Sequence, residues 1–300
     1  MAKHIYVSPH ADDAALSCGG QIIADPAREQ DTLILNIFTS DPDRSQGGSG
    51  KLGDMFISTE REREDQSAWE SIGVATHHAD LPEALLRKRF PLAVIPGKGD
   101  DRIIDDLHAA MLSQVRSHPD AVFHFPAGFG CHIDHLTCRT VAFRLLDEGA
   151  VDRIMFYEDI PYCWLRFVRL PYYRTLLHDV ELDQASAATA FRSGGETLAG
   201  YLGQPRVPFP GARALFPMVS LSLKIGNALR GSGPAAKSYR GRISAIRLDD
   251  ALLERKKQLL YHYRSQIPIL FGDKPDELLR SRHESFATEV TIEISRRSAA

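Results

Sequence analysis

The sequence predicts an α/β fold in which a Rossmann-like, largely parallel sheet is flanked by helices, and two observations support this prediction. Short apolar runs such as 32–39 are rich in β-branched residues and lack polar alternation, which is typical of strands covered on both faces. These runs alternate with segments of helical spacing, as expected for right-handed βαβ units. With 43% hydrophobic and 25% charged residues, the composition excludes disordered and collagen-like classes.

The predicted elements follow in regular order through the first half of the chain. A short strand over His4–Val7 leads through a polar break into a helix over 14–23, and 32–39 forms the second strand. The next helix, over 58–72, has Ser58 and Thr59 as capping candidates and a stop signal at Gly73. The later predicted elements are a helix over 101–117, a strand over 121–126, a helix up to Glu148, a strand over 153–157, a charged helix over 249–264 and a final strand over 288–294.

The length of 300 residues is compatible with two domains or with one enlarged domain, and the motifs favour the second. We predict a single α/β domain over 1–300 with its core in 1–162 and 249–300. Residues 163–248, where the regular pattern loosens, are predicted to be an insertion or lid on the substrate side.

This insertion contains a basic stretch, Thr197–Leu248, with eight Lys and Arg residues and no Asp or Glu. We favour a solvated insertion or an ordinary lid, and contact with an anionic group of a substrate is the first alternative. Attachment to a membrane surface is the second, and it requires a sustained amphipathic face with basic flanks. Because Pro217 interrupts the main apolar run 215–219, we predict no continuous helix there and no membrane-surface partner.

Charge and cysteine content exclude several classes of partner. The 36 Lys and Arg against 39 Asp and Glu give a formal net charge of −3, so we expect no nucleic-acid partner. The four cysteines form no C-x-x-C pair and are too sparse for a disulfide framework. No apolar run approaches the roughly 18 residues that span a bilayer, and the N-terminal residues lack a signal-peptide pattern. We therefore expect a cytoplasmic protein.

Two polar loops, one after the first strand and one after the strand at 121–126, carry the residues best suited to chemistry. The carboxyl ends of parallel strands share one edge of a sheet, where ligands bind. Within each loop two potential ligands are spaced three apart, His10 with Asp13 and His132 with His135. At the start of a helical turn this spacing places both side chains on one face.

Two imidazole nitrogens and one carboxylate oxygen are a common ligand set for a catalytic zinc ion, with a fourth position open to water. Fe²⁺ or another divalent ion also suits such a set. Hydrolysis further needs a base for the water and a donor for the developing oxyanion. The loops hold spare groups for both purposes, Asp12 in one and His132 with Asp134 in the other.

The same residues resemble the double signature of the PIG-L (LmbE-like) zinc deacetylases, which remove N-acetyl groups from amino sugars and related metabolites. The two signatures stand here as Pro9-His10-Ala11-Asp12-Asp13 and His132-Ile133-Asp134-His135. The resemblance covers residues 4–162 well and 250–268 loosely. Supporting similarities are Arg61-x-x-Glu64, Tyr157-Glu158-Asp159 and Tyr263-Arg264-Ser265-Gln266.

The resemblance also implies a role for each site residue. Its implied zinc ligands are His10, Asp13 and His135. Asp12 is implied as the general base, and His132 as the group that stabilises the oxyanion or protonates the leaving amine. Asp134 is implied to orient His132. Arg61 resembles a position near the substrate, and its alternative is a simple i,i+3 ion pair with Glu64.

The chain departs from the family pattern at three positions. Ala11 and Ala14 stand where many members have Pro and Glu, and Cys131 stands where Gly is frequent. None of these changes removes an implied ligand. We interpret Cys131 as a small packed thiol rather than a soft metal ligand or a redox-sensitive group.

Most of the twelve histidines receive no chemical role. His77 and His78, with the nearby Asp80, resemble a second metal site by residue type. They follow a predicted helix in a connecting stretch, and we interpret them as solvated loop residues.

We expect a metal-dependent amidohydrolase that removes an N-acetyl or other N-acyl group from an amino sugar or a sugar-bearing metabolite. Its partner is then a small N-acylated molecule that contains sugar. One alternative keeps the metal chemistry but acts on a non-sugar N-acyl metabolite. The other is a catalytically silent, metal-dependent carbohydrate-binding protein.

Overall fold

A computed structural model describes residues 2–40, 58–91, 99–186, 197–199, 212–230, 238–271 and 286–297. The strands in the described residues are β1 His4–Ser8, β2 Thr32–Asn36, β3 Ala75–His78, β4 Val122–Pro126, β5 Arg153–Tyr157, β6 Val180–Leu182, β7 Tyr239–Arg247 and β8 Thr288–Arg296. The helices are α1 Asp13–Ile23, α2 Pro26–Asp31, α3 Ser58–Glu70, α4 Ile104–Ser117, α5 Ile133–Asp147, α6 Arg166–Leu176, α7 Ala212–Arg230, α8 Asp250–Leu260 and α9 Ile267–Phe271. Short 3₁₀ turns occupy Phe129–Cys131 and Tyr162–Trp164.

These strands form one sheet in the order β3-β2-β1-β4-β5-β8-β7-β6. The first five are mutually parallel, as the sequence predicts, and their apolar side chains are buried between helices. β8 runs antiparallel to both β5 and β7, and β6 is parallel to β7. The predicted α/β class with a largely parallel sheet is therefore confirmed.

The segment predicted as an insertion contributes to this same sheet. β6 and β7 both fall within 163–248, and β7 pairs with β8 over nine residues, from Tyr239 to Arg247. The rest of the described segment consists mainly of α6 and α7, which pack against each other. Residues 187–196, 200–211 and 231–237 lie outside the described part of the chain.

Two local interpretations are wrong. His77 and His78 are not loop residues, because they belong to β3, which pairs with β2 at the edge of the sheet. Pro217 does not prevent a helix, because α7 runs continuously from Ala212 to Arg230 through it. Proline removes one hydrogen bond near the beginning of this helix, and the packing of the buried Phe216 and Val219 offsets that loss.

The described residues include no helix that is both long enough and apolar enough to cross a membrane.

A buried ion pair fixes the helix that leads out of the first loop. Nζ of Lys256 on α8 lies 2.6 Å from Oε1 of Glu289 on β8, and both side chains are almost fully buried. The carboxylate of Glu289 also accepts the backbone N–H groups of Gly20 and Gln21 in α1, at 2.8 and 2.7 Å. A Cβ atom at Gly20 would lie 2.2 Å from Leu248, so this close approach requires glycine. The position of α1 thus depends on a charge pair beneath it.

We predict that Lys256→Met lowers the free energy of unfolding by about 3–5 kcal/mol, because the buried carboxylate of Glu289 would lose its cation. Urea denaturation measures the change. The matched control is Lys257→Met, which removes only an i,i+3 pair with the exposed Glu254 at 3.8 Å and should cost less than about 1 kcal/mol. Equal losses in the two variants would contradict this role of the ion pair.

Candidate metal-binding active site

The predicted site residues meet at the carboxyl ends of β1 and β4, which are neighbours near the centre of the sheet. The chain leads from β1 to β2 on one side and from β4 to β5 on the other, so the strand order reverses between them. Such a switch point opens a crevice in which α/β sheets bind ligands. The sheet therefore brings together the two loops that the sequence singles out.

Short-range hydrogen bonds shape the loop between β1 and α1. The Ser8 hydroxyl donates to the backbone carbonyl of His10 at 2.5 Å and accepts the N–H of Ala14 at 3.0 Å. Oδ2 of Asp13 accepts the N–H of His10 at 2.9 Å. Asp12 is the N-cap residue of α1, yet its side chain makes no capping hydrogen bond. The buried carboxylate of Asp12 is therefore not committed to the helix terminus.

Left-handed backbone conformations shape the loop between β4 and α5. Gly128 and Gly130 have φ values of 89° and 83°, and a Cβ atom at Gly130 would lie 2.6 Å from Tyr162. Cys131 also has a positive φ, 62°, which costs a non-glycine residue on the order of 1–2 kcal/mol. Burial raises the pKa of this thiol to about 12, so it stays protonated, as a packed thiol would.

Three imidazoles and one carboxylate form the centre of the site. His10, His132 and His135 each offer a ring nitrogen, and these nitrogens lie within 4.8 Å of one another. Oδ2 of Asp13 lies 3.2 Å from Nδ1 of His10 and 3.2 Å from Nε2 of His135. Nitrogen and oxygen donors of this kind suit zinc and iron, so the cluster could hold a divalent metal ion.

A carboxylate behind His135 orients its ring. Oδ1 of Asp159, which follows β5, lies 2.5 Å from Nδ1 of His135, and Oδ2 accepts the N–H groups of Gly128 and Phe129 at 2.7 and 2.8 Å. A carboxylate on one imidazole nitrogen fixes the tautomer and leaves the other nitrogen for a metal. The pairing of Asp159 with His135 is thus a second observation, besides the distances within the cluster, that these donors fit a metal ion.

Asp134 is fully buried in the first turn of α5, and its carboxylate is bound on several sides. Oδ1 accepts from Nη2 of Arg87 at 2.5 Å, and Oδ2 accepts the N–H of Ala84 at 3.1 Å. Oδ2 also lies 3.2 Å from Nε2 of His10 but 4.0 Å from Nδ1 of His132. That Nδ1 accepts the backbone N–H of Asp134 at 3.3 Å. The backbone of Asp134 thus contacts His132, while its carboxylate contacts His10.

Arg87 links two buried carboxylates. Its Nε donates to Asp100 at 3.0 Å, its side chain is 6% exposed, and its guanidinium lies 5.0 Å from the ring centroid of Phe38. Burial opposes ionisation of Asp100, but neighbouring guanidinium groups outweigh it and hold the pKa of Asp100 below its usual range. Arg87 therefore lies between two carboxylates, and its positive charge holds Asp134 in place.

The electrostatics of the centre favour positive charge. Burial lowers the pKa of His10, but hydrogen bonds to Asp13 and Asp134 outweigh it and raise the pKa to about 9. Burial also opposes the charged form of His135, yet Asp13 and Asp159 raise its pKa well above the usual value. Despite its own burial, the carboxyl of Asp13 has a pKa well below the usual value because of the two imidazoles. A bound cation would meet the same demand for positive charge.

Asp12 and His132 differ in their electrostatics. Burial and the charge of Asp13 raise the pKa of Asp12 to about 6. Burial, followed by the charge of His10, lowers the pKa of His132 to about 3, so the ring is neutral at pH 7. Because Nδ1 accepts from the backbone of Asp134, the neutral ring carries its proton on Nε2. Asp12 is therefore suited to accept a proton and His132 to donate a hydrogen bond.

Arg61 on α3 borders the site and is engaged in an ion pair. Its Nη1 donates to Oε1 of Glu83 at 2.6 Å. Burial lowers the pKa of Arg61, but the negative charges of Glu83 and Asp12 outweigh burial and raise it. Glu64 instead accepts the N–H and the hydroxyl of Ser265 at 2.9 and 2.6 Å. The interpretation of Arg61 and Glu64 as an i,i+3 ion pair is therefore wrong, because each residue has a different partner.

The crevice and its surroundings include all of the residues singled out by the sequence, which are His10, Asp12, Asp13, Arg61, His132, Asp134 and His135. Sequence reasoning assigned no role to Glu83, Arg87 or Asp159. The position of Asp159 directly after a strand at this edge was a usable signal. The sequence offers no signal for Arg87. Its contacts with Asp134 and Asp100 are distant in the chain, and its neighbours Lys88 and Arg89 are also basic.

The family model described as PIG-L, GlcNAc-PI de-N-acetylase, matches residues 5–146. Among curated proteins, the 2'-N-acetylparomamine deacetylase of Streptomyces fradiae is 26% identical over 166 residues, covering 55% of this chain and 59% of that protein. The chain thus matches less than two thirds of the length of this relative.

Two solved structures share the fold over nearly their whole length. A deacetylase–bog complex from the teicoplanin biosynthesis pathway is 18% identical, covers 99% of each chain and has a TM-score of 0.62. The zinc-inhibited form of teicoplanin deacetylase Orf2 is 17% identical, covers 99% of each chain and has a TM-score of 0.61. At such identities the likeness concerns the fold alone, whereas the family match rests on sequence. The sequence match to the PIG-L family thus spans residues 5–146, which include both polar loops of the site.

Proposed function

We propose that this protein is a metal-dependent amidohydrolase that removes the N-acetyl group from an amino sugar or a sugar-bearing metabolite. One observation carries the proposal: Oδ2 of Asp13 lies 3.2 Å from both His10 and His135, beside the uncommitted carboxylate of Asp12. A carboxylate and two imidazoles form a metal site, and a second carboxylate beside it forms a base for hydrolysis.

In this proposal His10, Asp13 and His135 hold the metal, with Zn²⁺ as the preferred ion and Fe²⁺ as the alternative. When bound, the metal supplies Lewis-acid activation of water and of the amide carbonyl. Asp159 supports the choice of His135, because its carboxylate leaves Nε2 of that ring available. His132 is part of the same cluster. In this proposal, however, its ring acts on the substrate and does not hold the metal.

Asp12 acts as the general base in the proposed reaction. It takes one proton from the attacking water while the new C–O bond forms, and it returns a proton to the amine as the C–N bond breaks. Its burial and a pKa of about 6 support this double role, because such a carboxyl is mostly ionised at pH 7 yet holds a proton readily. The products are acetate and the free amine.

His132 stabilises the oxyanion in the proposed reaction. A neutral ring with its proton on Nε2 donates a hydrogen bond to the developing charge, and burial strengthens that bond. Asp134 orients this ring through its backbone N–H to Nδ1. These contacts favour oxyanion stabilisation by His132 over protonation of the leaving amine.

An amino-sugar substrate is supported by the relatives, which are named as deacetylases of 2'-N-acetylparomamine and of teicoplanin. The Arg61–Glu83 pair at the edge of the site offers donors and acceptors for sugar hydroxyls. A panel of N-acetylglucosaminides and N-acetyl amino acids, read by mass spectrometry for acetate release, separates sugar from non-sugar substrates. Binding without acetate release would indicate the silent carbohydrate-binding alternative.

We predict that Asp12→Asn lowers kcat by about 10²–10⁴-fold with N-acetylglucosaminides, because the isosteric amide accepts no proton. Metal content should not change, since Asp12 is not among the proposed ligands. The matched control is Asp101→Asn at an exposed position, which should retain full activity. Because one structural relative is a zinc-inhibited form, the assay supplies a single metal equivalent and compares zinc with iron.

The pH profile of the wild type provides a second readout for Asp12. As pH falls through its pKa, the base becomes protonated, so kcat/KM should decrease about tenfold per pH unit on the acid side. A bound cation stabilises the carboxylate and moves this limb to about 6 or lower. Full activity in Asp12→Asn, with the acid limb intact, would contradict the proposed base.

We predict that Arg87→Met lowers kcat by about a hundredfold with little change in KM, because Asp134 and through it the two histidines lose their alignment. Arg87→Lys retains the charge and should recover part of the rate, as should added guanidinium. The matched control is Arg89→Met, a half-exposed residue 3.4 Å from Asp100, which should remain near wild type. An unchanged kcat in Arg87→Met would exclude a positioning role.

A further inference from the structure

The helix α7 has two opposite apolar faces. On the inner face, Val219 and Leu223 are fully buried, and Asn227 donates to the backbone carbonyl of Pro171 on α6 at 2.9 Å. On the outer face, the exposed fractions are 51% for Met218, 59% for Leu221, 51% for Ile225 and 82% for Leu229. Their spacing of three and four residues forms one continuous stripe, which we call the outer stripe. A helix that is apolar on both faces is ordinarily buried on both.

Every charged residue in the sequence of α7 is basic. Lys224 lies within α7, and the helix has Arg213 near its beginning and Arg230 at its end. The neighbouring α6 adds the exposed Arg166 and Arg174. No Asp or Glu occurs in 160–177 or in 197–248. The surface therefore combines exposed apolar side chains with positive charge and lacks carboxylates from either segment.

The stripe begins close to the candidate active site. The ring of Phe216, on the inner side of α7, has its centroid 6.0 Å from that of Tyr162, and Tyr162 lies 6.4 Å from the ring of His135. Leu229 is eleven residues after Met218, which corresponds to about 16 Å along a helix. The outer stripe thus extends away from the site along one side.

A second exposed apolar segment borders the same site. Leu85, Leu86 and Phe90 have exposed fractions of 40%, 46% and 65%, and the exposed Lys88 and Arg89 lie between them. The residue that follows, Pro91, accepts the backbone N–H of Ile133 beside the site at 2.7 Å. Two separate segments next to the site therefore combine exposed apolar side chains with basic ones.

We propose that α7 docks through its outer stripe onto an anionic lipid surface. An exposed helix face of this composition enters the boundary between headgroups and acyl chains, and Lys and Arg at its flanks are attracted to anionic lipids. Charge complementarity selects this occupant over a second copy of the chain. Two copies paired through the outer stripe would bring their exposed Lys224 side chains into one interface, to which 197–248 contributes no carboxylate.

This proposal goes beyond the proposed hydrolysis and reverses the expectation of no membrane-surface partner. That expectation depended on Pro217 interrupting the apolar run, and the continuous α7 removes its basis. Docking through the outer stripe would place the protein at the lipid surface and does not require a membrane-spanning segment.

The test is co-sedimentation of the full-length, metal-loaded protein with vesicles. We expect binding to mixed phosphatidylcholine–phosphatidylglycerol vesicles that is at least about tenfold stronger than binding to phosphatidylcholine alone and that weakens in high salt. Leu221→Asp combined with Ile225→Asp should abolish binding, because it places two charges in the outer stripe. Both positions are already exposed, and an unchanged Tm verifies the fold.

The matched control is Arg153→Glu, which changes the net charge by the same two units at the opposite end of the sheet and should bind like the wild type. Acetate release from a soluble N-acetylglucosaminide without vesicles should be equal in all three proteins, so hydrolysis and docking are scored separately. Absence of binding to anionic vesicles would overturn the proposal, as would retained binding in the double variant. A wild-type dimer that dissociates in the double variant would instead assign the stripe to self-association.

Discussion

Oδ2 of Asp13 contacts the imidazoles of His10 and His135, which follow different strands. The remainder of the candidate site is arranged around this contact. His10 belongs to the loop after β1 and His135 to the helix after β4, and only the pairing of these strands brings them together. His132 joins the two imidazoles because it lies three residues before His135, and Asp12 is brought to the site because it directly precedes Asp13. The constraint is therefore topological, since the switch point of the sheet produces the site.

Buried charges behind the cluster hold its parts in place. Glu289 and Lys256 support α1 from beneath, Asp159 orients His135, and Arg87 holds Asp134 from the side. Each of these contacts joins a buried carboxylate to a partner that is itself buried, so the loss of the partner leaves an uncompensated charge. The same low-polarity surroundings raise the pKa of Asp12 and lower that of His132. Rigidity and chemical function thus depend on one set of desolvated charges.

The sequence is informative where a signal is local. Apolar runs located the central strands, and the motif spacing located both loops, because periodicity and short-range geometry determine these features. The sequence is uninformative where the interacting residues are far apart along the chain. The polar edge strand β3 lacks an apolar run, and Arg87 has the same character as its neighbours. The helix α7 continues through Pro217, and its inner face packs on α6. The exposure of the outer stripe likewise depends on tertiary packing.

The ligand set is the central claim, and the zinc dissociation constant of two variants, measured by competition with a chelator, tests it most directly. The cluster contains two candidate triads that share His10 and His135, one completed by Asp13 and the other by His132. We expect Asp13→Asn to weaken zinc binding by more than the roughly 10–100-fold typical of an outer-shell partner, and His132→Ala to change it by less than about tenfold. The reverse order would contradict the proposed ligand set.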